Sequence, residues 1–161
     1  MSYDLFKHEL ENALQYEKEA SRRILKLYND YVLDTVQDEN NYKTVHYDFS
    51  IIKNDKVKTF EVKYNRLAHI YGSYFMEIKT ASGVPSGLLI TKAKYHILVN
   101  DINEYILIKT SKIRKILKDK KLTVRVSKHG VVVFVITKTH LLEYNAILLN
   151  IKSKLSSNTF L

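Results

Sequence analysis

Apolar and polar residues alternate over two short stretches, 45–52 and 57–64, separated by the polar tetrapeptide Lys53, Asn54, Asp55, Lys56. Alternation with a period of two suits a strand that buries one face, and Asn-Asp in such a gap is turn chemistry. The pattern therefore predicts a β-hairpin. Ahead of it the period changes. Phe6, Leu10, Ala13, Ala20, Ile24, Leu27, Tyr28 and Tyr31 recur at helical spacing without an interior Gly or Pro. One long amphipathic helix is expected over 3–31. The polar stretch 34–43, with Asp38, Glu39, Asn40 and Asn41, breaks this periodicity and reads as a loop.

Beyond the hairpin, 65–72 reads as the connection to a third strand, 73–80, in which Phe75 and Glu77 share a face. The strongest turn signal follows at 81–87, which holds the single proline, Pro85. Residues 88–94 suggest a short helix. The apolar runs 95–100 and 104–109 predict two buried strands that meet across Asp101, Ile102 and Asn103 and extend the central sheet. Ser111 is placed to cap a helix reaching about 118. A second hairpin is expected from 122–126 and 131–137 around Lys128, His129 and Gly130, then a closing helix over 140–154 and a fraying polar tail. This is the pattern of an α/β protein, one domain over 1–161, with a central mixed sheet flanked by helices.

Composition narrows the chemistry. The 161 residues, 45% of them hydrophobic, suffice for a single core. Lys and Arg outnumber Asp and Glu by 26 to 17, a formal charge of +9, which favours a polyanionic partner. With no Cys, thiol nucleophiles, disulfides and thiolate-held zinc are excluded. No apolar run is long enough to cross a bilayer, and the N-terminus lacks the form of a secretory signal, so a soluble intracellular protein is expected. The six histidines show no HExxH or close pairing, and only His46, two residues from Asp48 on the expected strand, stands near other candidate groups. Phosphate loops, nucleophile elbows and internal repeats are missing.

The acidic residues are more informative. On a strand Glu61 and Lys63 project together while Val62 points into the opposite layer, and Asp48 lies one strand over. Neighbouring carboxylates repel unless a cation neutralises them, which a hard divalent ion does well. A surface hairpin with an ordinary Glu and Lys is the plainer alternative. Glu17 falls near the centre of the first helix's apolar stripe, where an unpaired carboxylate is costly to bury, so it calls for either a metal or an ion pair with Lys63. Lys112, Arg114, Lys115, Lys118, Lys120 and Lys121 form the densest basic run, suited either to a DNA backbone or to plain solvent exposure.

Taken in order, Glu17 on a helix, Asp48, then Glu61, Val62 and Lys63 resemble the PD-(D/E)XK nuclease superfamily of restriction enzymes, repair nucleases and Holliday-junction resolvases. The motif's proline is absent, since His46 and Tyr47 precede Asp48. Residues 60–68, then Gly72, Glu77, Pro85, Ser86, Gly87, Thr91, Lys92 and Ala93, are similar to small endonucleases encoded by phages and large DNA viruses. The resemblance spans about 14–99, and Lys94 stands where an acid is expected. It implies a restriction-endonuclease-like core and a Mg²⁺- or Mn²⁺-dependent DNA endonuclease, with Branched DNA as one candidate substrate. Asp48, Glu61 and the Val62 carbonyl would hold the metal, Glu17 would extend the cluster, and Lys63 would stabilise charge. Glu77, followed by Lys79, offers a competing Glu-x-Lys assignment or an accessory acid. Arg66, Ser86, Thr91, Lys92, Lys94, Lys115 and Lys118 are the candidate DNA contacts. A dimeric junction resolvase and a nuclease acting on ends or flaps both stay open, and a non-catalytic DNA-binding module is the alternative from another class.

Overall fold

The computed structural model describes residues 3–36, 45–120 and 122–149, with side chains from Glu11 onward. Two layers of apolar packing, one on each face of a six-stranded mixed sheet, organise them. The sheet contains β1 (Val32–Val36), β2 (Phe49–Lys53), β3 (Lys56–Tyr64), β5 (Tyr95–Val99), β6 (Tyr105–Lys109) and β9 (Ile147–Leu148), in the order β1-β2-β3-β5-β6-β9. β4 (Ser73–Lys79), β7 (Val124–Val126) and β8 (Val132–Thr137) form a separate three-stranded sheet, in the order β4-β8-β7. The helices are α1 (Tyr3–Leu27), α2 (Ala68–Tyr71), α3 (Thr110–Asp119) and α4 (Lys138–Glu143), with a 3-10 turn at Gly87–Leu89.

The hairpin forms as its pattern predicts. β2 and β3 pair antiparallel from Phe49 opposite Phe60 to Lys53 opposite Lys56. Asn54 and Asp55 both take positive φ, 45° and 61°, as the two-residue turn that follows strand twist requires. β3 then pairs parallel with β5, so the chain between them must cross over, and β4 and the 81–94 segment lie in that crossover.

Side-chain alternation divides the core. Phe60, Val62, Ile97, Val99, Tyr105 and Leu107 pack toward α1, against Ala20, Ile24 and Tyr28. Leu98, Ile106 and Ile108 face the opposite way, toward Ile113 and Ile116 of α3 and toward Tyr74, Met76 and Ile78 of β4. Phe49, Phe60 and Tyr95 stack in sequence across the α1 face, with ring centroids 4.8 and 5.3 Å apart. Each buried side chain of this size contributes about 1.5–3 kcal/mol.

Several elements differ from their sequence expectation. α1 stops at Leu27, and a turn carries Tyr28 into the core separately. The supposed loop at 34–43 begins as strand, because β1 adds to the sheet edge opposite β2; it is exposed throughout, so no burial alternation announced it. Residues 37–43 lie outside the described residues. The expected third strand forms as β4, and it lies in the second sheet, on β8. The 88–94 helix is only the single 3-10 turn. Lys109 rather than Ser111 occupies the N-cap of α3, with no side-chain cap. The closing helix ends at Glu143, since Asn145 turns the chain with φ of 65° and Ile147–Leu148 then pairs with β6. The remainder of that expected helix, from Asn150, and the tail lie outside the described residues.

Candidate functional site

The site begins where β2 ends. Pairing between β2 and β3 stops at Phe49 opposite Phe60, while β3 continues to Tyr64. The backbone of 61–64 is thus left unpaired by β2, and unpaired buried amides are costly. Asp48 resolves this. Its own N–H donates to the Phe60 carbonyl at 2.9 Å, and its Oδ2 accepts the Val62 N–H at 2.6 Å. Asp48 therefore sits at a bend just before β2, not on the strand as expected, and His46, with φ of 55°, does not share a strand face with it.

Because Phe60 and Val62 face α1, Glu61 and Lys63 face the other side. Glu61 is completely buried, and its Oε1 receives the Lys63 ammonium at 2.5 Å; the Lys63 side chain keeps a third of its surface exposed. The Thr91 hydroxyl donates to the His46 carbonyl at 3.0 Å and lies 3.4 Å from Glu61 Oε2. Lys92 N–H donates to the same carbonyl at 3.0 Å, which ties the approach to Asp48 to the segment before β5. Glu17 enters from α1. It is half-buried and shares with Asp48 a mostly apolar pocket of about 340 Å³ walled by Leu14, Leu33, Val36 and Phe49.

These groups shape one another's charge. Burial, then the Glu61 and Glu17 carboxylates, push the Asp48 pKa up to about 8 against the opposing pull of Lys63 and the Val62 amide. Glu17 is raised by burial and by Glu61, with Lys63 opposing. For Lys63, burial works against the charged form, but Glu61, Asp48 and Glu77 outweigh it and its pKa is raised. Carboxyl groups from α1, the bend and β3 thus influence one another and the Lys63 ammonium, which pairs with Glu61 rather than with Glu17. Among the described residues, no three His, Asp or Glu side chains already stand in ligating geometry.

Glu77 approaches from β4. It influences Lys63, and its Oε1 accepts a short hydrogen bond from the Ser86 hydroxyl. The turn that carries Ser86 is pressed onto β4: a Cβ on Gly87 would lie 2.4 Å from the Glu77 carbonyl oxygen, and Gly87 has φ of +48°. Gly87→Ala should therefore cost on the order of 2–4 kcal/mol and shift Ser86 off Glu77. A thermal melt indistinguishable from wild type would contradict that packing.

Sequence reasoning passed over His96. It lies opposite Glu61 in the β3–β5 register and is fully buried. Thr110 gives its hydroxyl proton to the Ala93 carbonyl at 2.7 Å, so at 2.9 Å it can only accept from His96 Nδ1. Burial, with Lys63 and Arg114 nearby, lowers the His96 pKa to about 3, and its bare Nε2 has no hydrogen-bond partner among the described residues. The signal was weak: one polar residue inside the run Tyr95–Val99.

The candidate DNA contacts separate. Ser86 and Thr91 are buried with their hydroxyls turned inward, whereas Arg66, Lys92, Lys94, Lys115 and Lys118 are exposed. Lys115 pairs with Asp119 at 2.8 Å and Lys120 with Glu143 at 3.0 Å, so part of the basic run is spent on α3 and α4 themselves. Lys121 lies outside the described residues. No helix among those described is long and apolar enough to cross a membrane.

No family model matches this chain, and no curated protein does. Among solved structures it is similar to D212, a nuclease from a fusselovirus, at 15% identity and a TM-score of 0.41, over 89% of this chain and 90% of that one.

Proposed function

We propose that the protein is a metal-dependent DNA endonuclease. The observation that carries this reading is the placing of Asp48, hydrogen-bonded to the Val62 N–H of β3, between the pair that buried Glu61 makes with Lys63 and Glu17, which lines a pocket with it. An all-oxygen donor set of this kind suits Mg²⁺ or Mn²⁺, and a cation placed there would offset both the burial and the carboxylate repulsion that raise Asp48. Asp48 and Glu61 would hold the ion, and Glu17 would reach it from α1. Bound there, the ion would polarise the scissile phosphate and activate water.

The protein groups divide the remaining work. The Val62 amide fixes Asp48 through its hydrogen bond, and Thr91 holds the chain beside Glu61. Lys63, kept protonated by its acidic neighbours, would stabilise charge developing on the phosphoryl oxygens rather than act as a base. Glu77 and Ser86 would form the outer wall on the β4 side.

The test is incubation with linear duplex, flap, single-stranded and four-way-junction DNA, in Mg²⁺, in Mn²⁺ and in EDTA. Cleavage that needs the metal supports the reading, and the preferred substrate separates a junction resolvase from an end- or flap-acting enzyme. A second reading, a DNA-binding module without turnover, draws on the fact that Lys63 already neutralises Glu61 at 2.5 Å. Binding to DNA without cleavage in either metal would favour it.

A further inference from the structure

A second concave surface lies next to the acidic cluster. It is a pocket of about 430 Å³ whose rim carries Lys92, Lys94, Lys109 and Arg114, with the hydroxyl residues Thr110 and Ser111 and, on its inner wall, Thr91. No acidic residue lines it among the described residues. The lysines come from different elements: Lys94 precedes β5, and Lys109 ends β6. The β5–β6 register places Lys109 directly opposite Tyr95, so Lys94 and Lys109 are held at the same end of the sheet.

Two further observations bear on how the fold holds this charge. Lys58 of β3 has its pKa lowered, first by burial and then by Lys94, Lys109 and Lys56, the sign of ammonium groups crowded together. Arg114 is pinned rather than left to wander, its Nη2 donating to the carbonyls of Leu88 and Thr91, both at 3.2 Å. Like charges held together by the fold are costly unless an anion is the intended neighbour.

We infer that this pocket is a phosphate subsite for the DNA strand whose scissile phosphate lies at the acidic cluster. Thr91 joins the two sites, lining the pocket while its hydroxyl lies 3.4 Å from Glu61 Oε2. A strand bound at Glu61 therefore brings a neighbouring phosphate to the four cations. Ammonium and guanidinium donors, with the Ser111 hydroxyl beside them, match a phosphate's oxygens, whether the group is internal or at a strand end. This assignment rests on the proposed nuclease function for its choice of ligand.

The test measures binding in EDTA, where metal-dependent cleavage plays no part, by fluorescence anisotropy over a range of salt. The probes are one short duplex with a 5′-phosphate and the same duplex without it. Lys109→Gln combined with Lys94→Gln should weaken binding about tenfold and lower the salt slope by about one to two, since each duplex phosphate neutralised contributes about 0.9. Lys109→Arg should retain wild-type binding, which a loss of folding would not allow. Equal losses on both probes mark an internal phosphate, and a loss confined to the phosphorylated probe marks a terminal one; either supports the subsite. An unchanged affinity and slope in the double variant overturns it. Cleavage by the wild type alongside that unchanged slope would leave the nuclease standing without this subsite. A pocket-dependent slope with no cleavage in any metal would do the reverse.

Discussion

Glu61→Gln should abolish metal-dependent cleavage, by on the order of a thousandfold or more, while DNA binding in EDTA stays within about twofold. The amide keeps the size of the carboxylate but is a poor ligand for a hard cation, and phosphate contacts elsewhere are untouched. The same substitution has a cost in stability. Glu61 is wholly buried against Lys63, so neutralising it leaves a partly buried ammonium without its nearest counter-charge. Removing one partner of such a pair costs about 3–5 kcal/mol when both are fully buried, and less here because a third of the Lys63 side chain remains in water. Glu61→Gln paired with Lys63→Met separates the two effects. The double variant should recover stability but not cleavage, as measured by denaturant melts and single-turnover assays. If Glu61→Gln cuts DNA at the wild-type rate, β3 does not supply the metal ligand.

Asp48→Asn is expected to move stability in the opposite direction. In the folded protein the Asp48 pKa is pushed up to about 8, above the ordinary aspartate value of 3.8. The folded state thus holds a proton that the unfolded chain releases, and folding takes up protons between these two values. Below about pH 4 both states are protonated and Asp48 imposes no penalty. As pH rises from about 4 to about 8 its contribution to stability falls, and above that the loss is complete. Glu17, also raised, adds to the same trend. Asparagine carries no charge to desolvate, so at pH 8 the variant should be more stable by on the order of 2 kcal/mol and its pH dependence flatter. Its amide side chain retains an oxygen for the Val62 N–H, which preserves the bend. Cleavage should be lost with it. Thermal melts without divalent metal at pH 5, 7 and 9 decide the matter: parallel wild-type and variant profiles would mean that Asp48 titrates normally.

Metal should act on the same equilibrium. An ion bound by Asp48 and Glu61 competes with the proton on Asp48, so stabilisation by Mn²⁺ or Mg²⁺ should grow between pH 6 and 9, with proton release on binding. Calorimetry in buffers of different ionisation heat would detect that proton, and a binding enthalpy independent of buffer would count against it.

Much of this arrangement is legible in the chain itself. Period-two alternation around Asn54 and Asp55 defined the β2–β3 hairpin, and with it the shared face of Glu61 and Lys63, because a strand allows no other placement. The apolar runs at Tyr95–Val99 and Tyr105–Lys109 announced buried strands for the same reason, since both of their faces are covered. Helical spacing around Ala20 and Ile24 located α1, and Glu17 among apolar residues marked it as unusual.

Other features depend on which elements meet, and local pattern carries no record of that. β1 is an exposed edge strand, and β4 reads like any half-buried strand until β8 claims it for a second sheet. That choice places Glu77 against Ser86 and within reach of Lys63. Asp48 looked like a strand residue, yet it works as a side-chain cap on an amide left without a β2 partner where β2 stops short of the end of β3. Which side chains share a strand or helix face can be read from the chain, since it follows from backbone periodicity alone. That Asp48 lies within the electrostatic reach of Glu17, Glu61 and Lys63, and that Lys94, Lys109 and Arg114 gather around one pocket, follows from how the sheets and helices pack, which sets the proximity of distant segments.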